Sequence, residues 1–150
     1  MSPTKKASAT ESDAGFTAEE KAAVKQAAAE RRKTAAGKNT EQDVLDAIAT
    51  MDDLDRPIAE GLHALMARIA PDLTRRTWYG FPAYARDPKG KDIVVFYQYA
   101  GKFKSRYGTI GFNDNAQLDD GTMWPAAYAI TEWNDANEKT LEKLITRAIG

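Results

Sequence analysis

Apolar residues follow a helical period in the first half of the chain and an alternating, aromatic-rich pattern in the second. Thr17-Ala18-Glu19-Glu20 has the form of a capping box and opens an alanine-rich segment ending on Arg31-Arg32-Lys33. This composition predicts a helix by propensity and dipole alone. Val24 is its only large apolar residue, so only weak docking is expected. Thr40 opens a second helix with Val44, Leu45, Ile48 and Met51 on one stripe. A third follows, with Asp55 as its expected cap, Ile58, Leu62, Leu65, Met66 and Ile69 on its buried face, and Pro71 as its stop.

The pattern changes at Thr74. Thr77–Tyr84, Asp92–Tyr99, Phe103–Phe112 and Ala126–Ile130 read as strands between Gly, Pro, Asn and Asp turns. Ile93, Val95, Tyr97 and Tyr99 alternate with Val94 and Phe96, which predicts a central strand. Short connections make antiparallel neighbours. A last helix is expected from about Asp135, with Leu141, Leu144, Ile145, Ala148 and Ile149 on one stripe. The expected fold is α+β: an antiparallel sheet of four to five strands flanked by N-terminal helices and a C-terminal helix. Residues 1–15 hold no large apolar residue beyond Met1 and are expected to be a disordered tail. Residues 16–36 are then a helical extension and 40–150 the main domain.

Composition narrows the function classes. The 150 residues contain no cysteine, which excludes disulfides, thiolate metal sites and cysteine nucleophiles and agrees with a cytoplasmic home. The longest uncharged run, Gly121–Thr131, is about half the twenty residues a membrane helix needs. A formal net charge of −1 argues against nucleic acid as a partner. The charges are unevenly distributed, however. Residues 41–55 hold six acids and no base, and so do residues 113–138.

Three groups of residues carry candidate chemistry. On a strand, Lys102, Lys104 and Arg106 would share one face with spacings of about 6.5–7 Å and could hold a small anion. Alternatively, they form a solvated face paired with Asp114, Asp119 or Asp120. Trp78, Tyr79 and Trp124 could line a ligand cleft beside them, or pack as core around a tight turn shaped by Gly80 and Pro82. The acids Asp43, Asp46, Asp52, Asp53 and Asp55 suit a hard cation or iron, and equally suit ordinary helix capping. His63, the only histidine, flanks the apolar face of the third helix and reads as a packing residue rather than a general base. No phosphate loop or activated nucleophile is visible, so no enzyme is expected.

Several blocks of the chain resemble the YdhG-like family of bacterial domains of unknown function. They are Ile48-Ala49-Thr50-Met51, Asp55-Arg56, His63, Ala70-Pro71-Asp72-Leu73, Thr77-Trp78-Tyr79-Gly80-Phe81-Pro82-Ala83-Tyr84, Lys102-Phe103-Lys104-Ser105-Arg106-Tyr107, Gly111-Phe112 and Leu118-Asp119-Asp120-Gly121-Thr122-Met123-Trp124-Pro125. Part of that family is described as frataxin-like iron chaperones. The resemblance implies a helix-flanked antiparallel sheet, weak iron binding at acidic surface residues and delivery to iron-accepting assembly proteins. The main expectation is therefore a non-enzymatic binding protein, of the iron-chaperone kind, with its ion at the five aspartates. The alternatives are a module for a small anionic or aromatic ligand at the basic, aromatic residues, and a protein-interaction domain using the helix at 16–36.

Overall fold

Two threonines mark the starts of the first two helices, each beside a carboxylate three residues on. The structure is a computed structural model in which residues 17–35 and 40–150 are described; the tail expected at 1–15 lies outside them. Helix α1 spans Ala18–Ala35, and the Thr17 hydroxyl accepts from the Glu20 amide at 3.0 Å. Helix α2 spans Glu41–Ala49, and the Thr40 amide donates to Asp43 Oδ2 at 2.7 Å. Helix α3 spans Asp55–Ile69. Its expected cap is corrected by one turn: Asp52 Oδ1 accepts from the amides of Leu54 and Asp55 at 3.1 and 3.0 Å. Asp55 lies inside the helix, fully buried.

The sheet follows as β1 (Thr74–Trp78), β2 (Phe81–Ala85), β3 (Ile93–Gln98), β4 (Gly108–Phe112) and β5 (Ala127–Ile130), hydrogen-bonded in that order and antiparallel throughout. A short helix α4 (Ala100–Phe103) lies between β3 and β4, and α5 (Asp135–Ile149) closes the chain. Among the described residues the fold is α+β, with five helices and a five-stranded sheet in which β3 is central.

Two strand expectations are corrected. The segment 77–84 is a hairpin rather than one strand, because Tyr79 and Gly80 both adopt positive φ (52° and 83°) between the paired Trp78 and Phe81. Positive φ at both central residues is the two-residue turn whose twist matches flanking strands. The segment 103–112 is extended only from Gly108. Before it, the Asp55 carboxylate accepts the Ala100 and Gly101 amides at 2.7 and 2.9 Å, which starts a helical turn where alternation alone suggested a strand. Lys104 ends that turn at φ 54°.

One face of the sheet makes the main core. Tyr84, Val95, Tyr97 and Ile110 pack with Val44 and Ile48 of α2, Leu62 and Met66 of α3, and Leu141 and Ile145 of α5. Each such aliphatic side chain contributes about 1.5–3 kcal/mol on burial. Arg86 ties the end of α5 to the sheet by donating to the carbonyls of Ala148 and Ile149 at 2.8 and 3.1 Å, a cation at the negative helix end. The other face covers itself with aromatics. Trp78, Tyr79, Phe81 and Phe96 form a cluster with ring centroids 5.1–6.1 Å apart. Phe96 lies across Gly111, where a Cβ would fall 2.2 Å from its ring. Among the described residues no helix is long and apolar enough to cross a membrane.

Candidate functional site

Helix α1 docks by a face that its hydrophobicity does not announce. Val24 is 55% exposed, whereas Ala23, Ala27 and Glu30 turn inward at helical spacing. Two alanines let the helix backbone approach closely, and Glu30 supplies the attachment. Its Oε1 accepts the Gly80 amide at 2.7 Å, a donor that the tight β1–β2 turn leaves pointing outward. Gln26 covers the same glycine, and a Cβ at Gly80 would fall 2.4 Å from the Gln26 side chain.

Between α1, α2 and this turn lies a cleft of about 240 Å³, lined by Gln26, Glu30, Lys33, Asp43, Thr77 and Gly80, with Ala29 and Ala47 as its apolar walls. Glu30 is only 7% exposed, yet its Oε2 has no hydrogen-bond partner. Burial pushes the Glu30 carboxyl above the ordinary carboxylate range, against the opposing effects of the Gly80 amide, the Thr77 hydroxyl and the Arg76 charge. Lys33 pairs with Asp43 across the cleft, and that hydrogen bond holds the Asp43 carboxyl below its ordinary value.

The basic residues do not form a stripe, which corrects the strand-based expectation. Lys102 Nζ donates to Gln26 Oε1 at 2.8 Å, and Lys104 Nζ pairs with Glu19 at 2.9 Å. Gln26 and Glu19 lie seven residues apart on α1, so these lysines clamp the helix and do not pair with Asp114, Asp119 or Asp120. Burial lowers the Lys102 ammonium from its ordinary value, while Glu30 raises it. Arg106 lies over its neighbour Tyr107, 5.2 Å from the ring centroid.

Nor do Trp78 and Trp124 share a cleft. Trp78 belongs to β1 at one edge of the sheet, and Trp124 precedes β5 at the other. Four strand spacings, roughly 19 Å, separate those edges. The register also puts Trp78 at the end where β3 finishes and Trp124 at the end where β3 begins. Lys102, Tyr79 and α1 stay together; Trp124 does not join them.

The five aspartates are dispersed, each engaged by its own partners. Asp43 completes the α2 start, Asp46 accepts from Gln42 at 2.9 Å, and Asp53 pairs with Arg56 at 3.0 Å. Asp52 caps α3, as described. Asp55 is no surface acid: besides two α4 amides it accepts the Tyr97 hydroxyl at 2.6 Å, and burial, then this hydrogen bond, raise the Tyr97 pKa. Among the described residues no group of three or more His, Cys, Asp or Glu is placed to hold a metal ion.

His63 is more than packing. Its Nδ1 lies 2.9 Å from the Tyr84 hydroxyl and its Nε2 2.9 Å from Glu41 Oε1, with Arg75 Nε 3.5 Å from that same oxygen. Tyr84 is sealed in the core, and burial raises its pKa strongly. The chain of contacts joins α2, α3, β1 and β2 and offers no atom to a substrate at its inner end.

The cleft residues Gln26, Glu30 and Thr77 escaped the sequence reading. The available signal was weak: an acid seven residues after Ala23, on the same face as the small Ala27. Comparison of the chain with protein-family models, with curated proteins and with solved structures finds no match.

Proposed function

We infer that the protein is a non-catalytic, cytoplasmic binding protein whose helix α1 closes a cleft for a small molecule carrying an ammonium group. One observation carries this reading: Glu30 lines the cleft, and its buried Oε2 has no hydrogen-bond partner. An unsatisfied buried acceptor costs about 1–3 kcal/mol, and a ligand N–H would remove that cost. A cation is preferred over the anion suggested by Lys102 and Lys104, because those lysines already engage Gln26 and Glu19. The volume suits a short alkyl amine with its chain against Ala29 and Ala47. Iron handling, as the YdhG resemblance implies, is supported by one feature of the same cleft: Asp43 lines it together with Glu30.

Calorimetric titration with n-butylamine, with butyrate as control and with ferrous iron under anaerobic conditions, tests both. The amine should bind, and Glu30→Gln should weaken it at least about tenfold, a loss of one charge-assisted hydrogen bond. Affinity should rise with pH through the raised range of Glu30, since only the ionised carboxylate attracts the cation. Butyrate binding in preference to the amine would overturn the reading. Iron binding lost in both Glu30→Gln and Asp43→Asn would move it to the metal.

A further inference from the structure

Strand β5 is an edge of the sheet, and its main chain is half used. The Phe112 amide donates to the Ala126 carbonyl at 2.9 Å. Alternation in an antiparallel ladder then turns Ala126, Tyr128 and Ile130 toward β4, and points the N–H and C=O of Ala127 and Ala129 away from it. Ala127 and Ala129 are exposed. Just before the strand, Met123 and Trp124 are 87% and 37% exposed. Beside it, a groove of about 110 Å³ opens between β5 and α5, floored by Ile110, Tyr128, Leu141 and Leu144. In the sequence on either side of the strand, residues 113–138 carry Asp114, Asp119, Asp120, Glu132, Asp135 and Glu138 and no base.

We propose that this edge docks an extended segment of a partner protein, in which basic residues alternate with aliphatic ones, as an added sixth strand. The free backbone groups of Ala127 and Ala129 supply the ladder. Alternate side chains of an added strand point to one face, which here directs an aliphatic residue into the groove beside α5. The acidic surround selects Lys or Arg at the flanks of the incoming segment and speeds its approach. The same charges exclude a second copy of this chain. A two-fold β5 pair would set Glu132 and Asp135 of each molecule against the Asp119-Asp120 side of the other, and like charges facing across strands destabilise.

The test is an NMR titration of the full ¹⁵N-labelled chain with an amidated peptide alternating lysine with valine and leucine, and with its glutamate counterpart. The lysine peptide should shift the amide signals of Ala127 and Ala129, slow their exchange with solvent and weaken about tenfold at high salt. Ala127→Pro removes one outward donor and leaves the β4-facing residues intact, as proline is tolerated on an edge; binding should fall at least about tenfold. Trp124→Ala gives an independent check of the apolar contact, with a fall of about threefold or more. Equal binding of the glutamate peptide, shifts that avoid β5, or undiminished binding to Ala127→Pro would overturn the proposal. So would a concentration-dependent dimer with protected β5 amides, which would make the occupant a second copy.

Discussion

At the β1–β2 turn the sheet is covered by a helix with almost no hydrophobic drive, held by Glu30, Gln26 and Glu19. At β5 the sheet is uncovered although Met123 and Trp124 lie exposed beside it and an apolar groove runs along α5. Burial and docking are thus distributed against simple hydrophobic expectation. The covered end rests on a few directional hydrogen bonds, each worth about 1 kcal/mol and more where a charge takes part. It can therefore open locally without unfolding the core, which suits a lid over a cleft. The bare edge has outward-facing backbone groups beside exposed apolar side chains.

The largest expected effect lies under the covered end. Asp55→Ala leaves the Tyr97 hydroxyl and the Ala100 and Gly101 amides without their acceptor. Denaturant unfolding should show a loss of about 3–5 kcal/mol; a loss below about 1 kcal/mol would show that α4 and the lysines on it do not depend on this carboxylate. Gly80→Ala comes next, at about 1–2 kcal/mol, because its φ of 83° disfavours a side chain and Gln26 occupies the space. Amide exchange should show α1 released in this variant while β5 is unchanged. Equal effects at both ends would erase the distinction between them.

A third prediction concerns pH. The Glu30 carboxyl is raised in the folded state by burial, so the folded form holds that proton more tightly than the unfolded one. Its contribution is fully present below the ordinary carboxylate range and is lost as pH rises through the raised value. Glu19 and Asp43 are lowered by Lys104 and Lys33 and act oppositely: their contributions are present above the ordinary range and fade as pH falls through the lowered values. Exposure keeps both small. Exchange protection of α1 should therefore decline as pH rises above the ordinary carboxylate range, and Glu30→Gln should abolish that decline. The smallest stability effect belongs to the bare edge. Met123→Ala should change unfolding free energy by less than about 0.5 kcal/mol, as for an exposed residue, while reducing peptide binding. A larger loss would mean that the loop belongs to the core.

Periodicity made the helices legible, and alternation made β3 central, because both patterns report which side chains one face must bury. The segment around Gly80 reads as one strand by its aromatic pattern, with a tight turn only as the alternative, because positive φ at Tyr79 leaves no mark in the pattern. Lys102-Phe103-Lys104 reads as strand because alternation cannot register a distant carboxylate, Asp55, that accepts the Ala100 and Gly101 amides just before it. The acidic run looked like one ion site because sequence proximity says nothing of direction: Asp55 points into the core, Asp53 into water, and Asp52 along its own helix. His63 read as packing because Glu41 and Tyr84, its partners, lie 22 and 21 residues from it in sequence.

By itself, then, the sequence determined an α+β chain with a self-sufficient apolar core, an alanine-rich leading helix and an acidic stretch without bases around Trp124, since these follow from local pattern and count. Only the tertiary structure decided that Glu30 is buried beside Gly80, that the lysines clamp α1 and that β5 is left as an open edge. Those outcomes depend on which distant backbone groups and charges the folded sheet brings into contact, and directional interactions of that kind leave no periodic trace in the chain.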